Sequence, residues 1–302
     1  MKSKNPQRYG TIAILGEINV GKSTLLNQLV NRDISIVTHK ANTTRKKIKG
    51  IISDENTQIV LVDTPGLSLS GKQNPRIFTS NLWEAINEAN FLFLMIDCKK
   101  TISNNLTQLI HEFNNSSEEL PNTILIINKI DKCSKEKLLM ISKEMNEYFV
   151  FKETFMISAL KGHGIKGLRS WMLDNMPEKK WIYSKTKNHD MTMEYILNEK
   201  TRETILLRIH QEVPYKIEID MHELKKFRDG SVKICQMINV SNARHRAMLL
   251  GKGGQTIKAI SINARLKMEK ILNKKVHLFL EVRLMKNKVF GKEIGKGLFD
   301  AR

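Results

Sequence analysis

The chain is poor in cysteine, in aromatic residues and in acidic groups, and each scarcity narrows what it can be. Three cysteines stand among 302 residues, Cys98, Cys133 and Cys235. They are odd in number, far apart in sequence and form no CxxC pair, so neither a disulfide framework nor a thiolate zinc site follows, and a reducing compartment fits best. Aromatic residues make up 6%, which argues against a base-stacking sheet as the main nucleic-acid surface. No apolar run approaches the roughly 20 residues of a membrane span; the longest, 91–96, has the length of a strand. The first nine residues are polar and lack an apolar signal core, which points away from secretion and toward the cytoplasm. Acidic residues number 31 against 50 Lys and Arg, a net charge of +19. An excess of this size calls for a polyanionic partner, nucleic acid first.

What the chain does contain is ample core material, 41% hydrophobic, and a length at which single cores usually split in two. In residues 1–180, β-branched or aromatic apolar runs at 11–15, 58–62, 91–96, 123–127 and 153–157 alternate with helical periodicity at 22–30, 106–113, 135–148 and 165–176. Unbroken apolar strands between helices imply an α/β domain with a mostly parallel sheet covered on both faces. The runs at 46–52 and 58–62 lie too close together for a crossover helix, so they form an antiparallel hairpin and make the sheet mixed. Residues 181–190 read as a polar linker. From 191 the order becomes α-β-β-α-α-β, ending in a strand whose Val276, Leu278, Leu280, Val282 and Leu284 share one face: a small α+β domain over 191–302. Charge sharpens the division. Residues 231–302 carry 16 basic and 4 acidic groups.

Gly16-Glu17-Ile18-Asn19-Val20-Gly21-Lys22-Ser23 fits GxxxxGK[ST] between a predicted strand and a predicted helix. Its glycines let backbone N–H groups wrap a phosphate, the helix N-terminus favours the charge, Lys22 reaches the β/γ oxygens and Ser23 offers a hydroxyl to Mg²⁺. Asp63-Thr64-Pro65-Gly66 ends a strand, where Asp63 can hold Mg²⁺ through water and the Gly66 N–H can sense a γ-phosphate. Asn128-Lys129-Ile130-Asp131 ends another. The carboxylate of Asp131 can accept both N1–H and the 2-amino hydrogens of guanine, a pairing adenine lacks, and such sites discriminate by as much as roughly 10⁴–10⁵. Asn128 is placed to fix the loop, Lys129 to lie along the base, and Ser158-Ala159 to back the guanine O6. The segment 34–44 fits a loop whose threonine closes over Mg²⁺, with Thr44 favoured and Thr43 the alternative. Leu67 stands where many small GTPases carry a water-orienting Gln, so hydrolysis is slow or the water is positioned by backbone, a cation or a partner, and weak intrinsic turnover is expected. Lys22, Thr44 and Gly66 are thus the candidate catalytic groups, and Ser23, Thr44 and Asp63 the candidate metal ligands.

In the second domain Gly251-Lys252-Gly253-Gly254 joins two basic helices as a GxxG loop, a clamp for about four single-stranded nucleotides. Arg244, Arg246, Lys258, Arg265 and Lys267 are the candidate phosphate contacts. Together these features make the second domain a type II KH domain.

From Asn19 to Thr24, through Thr43-Thr44-Arg45, Asp63 to Leu67, Asn128 to Asp131 and the GxxG loop, the chain resembles the Era GTPases over nearly its whole length. The resemblance implies a P-loop GTPase domain over 1–180 followed by the KH domain, with GTP/GDP and Mg²⁺ as cofactors. It implies binding to the 3′ end of small-subunit ribosomal RNA and assistance to small-subunit assembly by a cytoplasmic monomer. It adds Val20 and Thr24 to the nucleotide contacts, admits K⁺ at Asn19, and admits peripheral association with the inner membrane. Ile18 departs from the family, which usually has Pro there. The competing readings are an RNA-binding protein that holds its nucleotide as a structural ligand, and a GTPase whose basic domain serves a membrane surface.

Overall fold

The computed structural model describes residues 6–31, 48–64, 83–116, 120–187, 189–209 and 217–285, and the chain divides into two compact units, Met1–Thr192 and Met193–Arg302. The first is built on six strands, β1 (Arg8–Gly16), β2 (Ile48–Asp54), β3 (Thr57–Asp63), β4 (Phe91–Asp97), β5 (Asn122–Asn128) and β6 (Glu153–Met156). Their order is β2-β3-β1-β4-β5-β6. Only the β2–β3 pair is antiparallel, as the short spacing between those two runs requires. Helices α1 (Lys22–Val30), α2 (Asn104–Asn114), α3 (Lys135–Tyr148) and α4 (Ile165–Asn175) cover the faces.

The unbroken apolar runs follow from this two-sided burial. On one face Ile12 and Ile14 pack with Leu25, Leu29, Leu168 and Met172; on the other Ala13 and Leu15 pack with Leu106, Ile110, Leu138 and Met145. Every residue of β3 and β4 is buried, and each large aliphatic side chain so placed contributes about 1.5–3 kcal/mol. Parallel pairing then gathers the strand ends. Ile14 pairs with Asp63, Gly16 with Met95 and Asp97 with Asn128, so the motif residues meet at the carboxyl edge of the sheet, where open α/β folds place ligands.

The 181–190 stretch, expected as a linker, lies in the first unit and packs on it. Trp181 and Tyr183 cover Tyr9, Ile51, Val60 and Val62, and Asp190 N–H donates to Lys49 O at 3.3 Å. The anchor is Gln58, fully buried on β3. Its Oε1 accepts the N–H groups of Ile182 (3.2 Å) and Tyr183 (2.9 Å), while its Nε2 donates to Tyr183 O (3.0 Å) and Ser53 Oγ (3.1 Å). The stretch is held by backbone groups paired to one buried amide, a pattern that composition does not reveal.

The second unit has the expected order: α5 (Met193–Arg208), β7 (Ile217–Lys226), β8 (Val232–Val240), α6 (Ala243–Leu250), α7 (Gln255–Leu272) and β9 (Val276–Leu284). Central β8 pairs antiparallel with β7 and parallel with β9. β7 continues to Lys226 through a register shift between Met221 and Glu223, which breaks the alternation that sequence reading follows. The inward face of β9 packs through Val276, Leu278, Leu280 and Val282, whereas Leu284, expected to join them, is 38% exposed at the strand end.

Gln58→Leu leaves the Ile182 and Tyr183 N–H groups without their acceptor. It is expected to lower urea stability by about 3 kcal/mol; a loss below about 1 kcal/mol would show that the strap contributes little.

Candidate functional site

The loop from Gly16 to Lys22 leaves β1 and turns straight into α1, whose N-cap is Gly21 with φ 109° and no side-chain cap. The first N–H groups of α1 therefore carry no capping side chain and face the site, the arrangement that suits an anion. Gly21 cannot be replaced: a Cβ there would lie 2.5 Å from Asn128 Nδ2. Asn19, at φ 63°, occupies the left-handed region that Asn tolerates better than most residues.

Lys22 is 6% exposed and folds back over the loop, donating to Gly16 O at 2.8 Å and Glu17 O at 2.9 Å. Burial lowers its pKa to about 8, against the pull of the Asp63 and Glu17 carboxylates. Ser23 Oγ donates to Asp63 Oδ2 at 2.7 Å, and Asp63 is fully buried at the end of β3. A hydroxyl and a carboxylate this close form a hard-oxygen pair that suits Mg²⁺, which needs few protein ligands. Thr64, next in sequence, ties its hydroxyl to Ile14 O at 2.8 Å. Thr24 follows in the first turn of α1. Thr43, Thr44, Gly66 and Leu67 lie outside the described residues.

The residues at the end of β5 bind the neighbouring loops together. Asn128, 2% exposed, donates through Nδ2 to Val20 O at 2.8 Å and accepts the Ala159 N–H through Oδ1 at 2.9 Å. Lys129 adopts φ 65° and donates to Asn19 O at 2.8 Å and Asp97 Oδ2 at 2.7 Å. Ser158 Oγ donates to Asp131 Oδ1 at 2.7 Å, and this bond is the main cause of an Asp131 pKa below the usual carboxylate range. Asp131 is thus held ionised, as an acceptor-only group. The expected residues Gly16, Asn19, Val20, Gly21, Lys22, Ser23, Asp63, Asn128, Lys129, Asp131, Ser158 and Ala159 are brought together at the carboxyl edge of the sheet.

Sequence reading missed four participants. Asp97 holds Lys129, Cys98 donates its thiol to Lys129 O at 3.1 Å, and Lys100 and Ser103 reach Glu17 at 3.9 and 2.5 Å. All lie at or just after the end of β4, which carries no recognisable motif. The available signal was positional: a strand ending in Asp97 must place it at the same sheet edge as Gly16 and Asn128.

In the second unit the GxxG loop joins α6 to α7. Gly251 has φ 72°, and a Cβ there would lie 2.1 Å from Thr256 Oγ1, whereas Cβ atoms at Gly253 and Gly254 would meet nothing within 4 Å. The open side of the loop is therefore accessible to a nucleic-acid backbone. The surrounding cations separate into two groups. Arg246 donates to Val282 O at 3.4 Å, Arg265 pairs with Glu269 at 2.9 Å and Lys267 with Glu203 at 3.1 Å. Arg244, Lys252 and Lys258 form no ion pair among the described residues and are available to phosphate.

Comparison with known proteins agrees with this geometry. A family model described as "50S ribosome-binding GTPase" matches residues 11–129, and one described as a KH domain matches 212–288. The GTPase Era of Dinoroseobacter shibae is 38% identical over 288 residues, covering 95% of this chain and 94% of the relative. The chain belongs to the Era GTPase family. The GTPase Era of Sinorhizobium medicae is 37% identical, covering 93% and 90% of the two chains. Two solved Era structures each superpose with a TM-score of 0.84 at 30% identity, covering 92% of this chain and 94% of theirs. One is Era in complex with MgGDPNP and nucleotides 1506–1542 of 16S ribosomal RNA; the other is Aquifex aeolicus Era bound to GDP·AlF4⁻. This Era-family chain is accordingly a GTPase with a KH domain.

Cys98 is fully buried, and burial, with Cys133 beside it, pushes its thiol up to about 12. Native alkylation at pH 8 followed by peptide mass mapping should leave Cys98 unmodified. Labelling of Cys98 in folded protein would contradict that placement.

Proposed function

We propose that this chain is a GTP-driven switch that engages the 3′ region of small-subunit ribosomal RNA and assists small-subunit assembly. The observation that carries the reading is the joining of the phosphate loop, the Asp131 loop and the Ser158 loop through Asn128, in a chain whose second unit presents an open GxxG loop with unpaired cations. Asp131, held ionised by Ser158, reads N1–H and the 2-amino group of guanine. Lys129, braced by Asp97, lies along the base. Lys22 exchanges its bonds to Gly16 O and Glu17 O for phosphate oxygens. Ser23 and Asp63 hold Mg²⁺, which neutralises charge on the phosphates when bound. Thr44, with Thr43 as the alternative, and Gly66 complete the site on the γ-phosphate side. Val20 and Thr24 border the phosphates, and Asn19 is positioned to ligate K⁺. With Leu67 in place of a Gln, intrinsic turnover is slow and rises on RNA or ribosome binding.

Arg244, Lys252 and Lys258 supply the phosphate contacts of the RNA site, with Gly251, Gly253 and Gly254 admitting the backbone. Arg246 and Arg265, engaged within the protein, brace the helices that carry them. GTP tightens RNA binding, and by linkage RNA tightens GTP binding by the same factor. The chain works as a cytoplasmic monomer. No helix among the described residues is long and apolar enough to cross a membrane; peripheral association with the inner membrane would draw on the same basic unit, and liposome sedimentation at matched salt checks it.

Calorimetry with magnesium tests the nucleotide site. GTP should bind far more tightly than ATP, and a preference under about tenfold would remove the role given to Asp131. The same titration reports Lys22. In the free protein its proton is lost as pH rises through about 8, while a bound triphosphate favours the charged form. Its contribution to affinity is therefore complete below that pH and falls away above it, as pH rises toward the higher pKa of the bound form. At pH 8.5, binding should take up about half a proton or more, read from buffers of different ionisation enthalpy; zero uptake would show that Lys22 does not meet phosphate.

For the RNA site, Lys252→Ala should weaken binding to a 3′-end fragment of small-subunit RNA and reduce the logarithmic salt slope by about one. An unchanged slope, or equal RNA affinity with GTP and GDP bound, would count against the clamp or the coupling respectively.

A further inference from the structure

The loop between β4 and α2 makes contacts that no recognised motif accounts for. Ser103 Oγ donates to Glu17 Oε1 at 2.5 Å across 86 positions of sequence. Lys100 Nζ lies 3.9 Å from Glu17 Oε2 and 3.5 Å from Ile18 O. Glu17 is therefore held at both ends: its carbonyl accepts the Lys22 ammonium at 2.9 Å, and its carboxylate is held by a separate element. The side chain of Glu17 sits in the phosphate loop itself, five residues before the lysine, as an anion beside a site for anions.

We propose that Ser103 and Lys100 are positioning residues for the phosphate loop, drawing the Glu17 carboxylate outward so that the loop keeps its shape and its one negative charge stays off the incoming phosphates. The inference rests on reading Gly16 to Ser23 as the phosphate loop. Two physical effects act in the same direction. Ile18 lacks the ring by which a proline would lock φ, so a side-chain tether on the preceding residue restricts the loop instead. A released Glu17 would oppose a triphosphate by like-charge repulsion at short range, where solvent screening is weakest. The tether needs rigid footing, and Ser103 has it: as N-cap of α2, its Oγ also accepts the Leu106 N–H at 3.2 Å.

Because Ser103 caps a helix, alanine would confound two roles. Ser103→Asp retains a good N-cap but sets a carboxylate against Glu17. With magnesium and GTP, Ser103→Asp is expected to weaken binding about tenfold and to speed GTP release, the loss of one charge-assisted hydrogen bond. Glu17→Gln keeps an acceptor for Ser103 but alters the phosphate loop, so its own affinity is the reference for the double variant. Combined with Ser103→Asp, it should bring affinity to within about threefold of the Glu17→Gln protein. That recovery through removal of a charge is the signature a merely structural role would not give. The thermal unfolding midpoint of Ser103→Asp should match the parent's.

Parental affinity in Ser103→Asp, or a loss that Glu17→Gln fails to recover, overturns the proposal while leaving the nucleotide site intact. A parent chain that binds no GTP overturns the reading of the site and the tether with it. A Ser103→Asp chain that unfolds early sends the test to Lys100→Gln, which touches no cap. There a severalfold loss that Glu17→Gln relieves supports the tether, and an unchanged affinity removes it.

Discussion

The amide of Asn128 is the constraint on which the first unit's chemistry depends. One side chain, at the end of a central strand, ties the carbonyl of Val20 to the N–H of Ala159, and its nitrogen fills the space that a Cβ on Gly21 would need. Three segments far apart in sequence are brought to one place by two hydrogen bonds and one steric exclusion. A buried amide is well suited to this because its donor and acceptor diverge from one carbon toward different loops and each must be satisfied where water is absent. Asn128 therefore specifies the spacing between phosphate loop and base loop more sharply than apolar packing could.

Around this joint the charges are arranged in pairs that restrain one another. Lys22 is buried and would lose its proton more readily than a surface lysine, yet Asp63 and Glu17 favour its charged form. Lys129 is braced by Asp97, and Asp131 by Ser158. In each pair one member is held in place by the other. The bracing groups come from the ends of β3 and β4 and from the loop after β6, so the sheet edge supplies both layers. The long neighbouring helices contribute apolar area and stability but few polar contacts.

The second unit solves a different problem. A phosphate backbone must approach closely, and its charge must be met by cations free to move. Gly251 is required by its own neighbour, Thr256, whereas Gly253 and Gly254 leave the outer side open. The helices carry more cations than the loop region leaves unpaired, since Arg265 and Lys267 pair within the unit. Net charge thus overstates the number of cations without an acidic partner: a large positive excess describes the long-range field, while the local count depends on which acids lie within reach.

The sequence alone determined the α/β first unit, the hairpin at its edge, the α-β-β-α-α-β order of the second, and the phosphate, base and GxxG loops. These are legible because each rests on local rules: period of burial, turn residues, and motifs whose members are close in sequence. The ends of α1 and α3 were legible to the residue, with Gly21 and Ser134 marking their starts. Only the tertiary structure decided that 181–190 is strapped to Gln58, that β7 continues through its register shift, that Leu284 leaves the core face, and that Asp97, Cys98, Lys100 and Ser103 border the site. Which basic residues are engaged within the second unit was likewise decided in three dimensions. The physical reason is common to all of them: a hydrogen bond or ion pair between residues tens of positions apart leaves no periodicity in the sequence, and it exists only once a sheet has set the strand ends side by side.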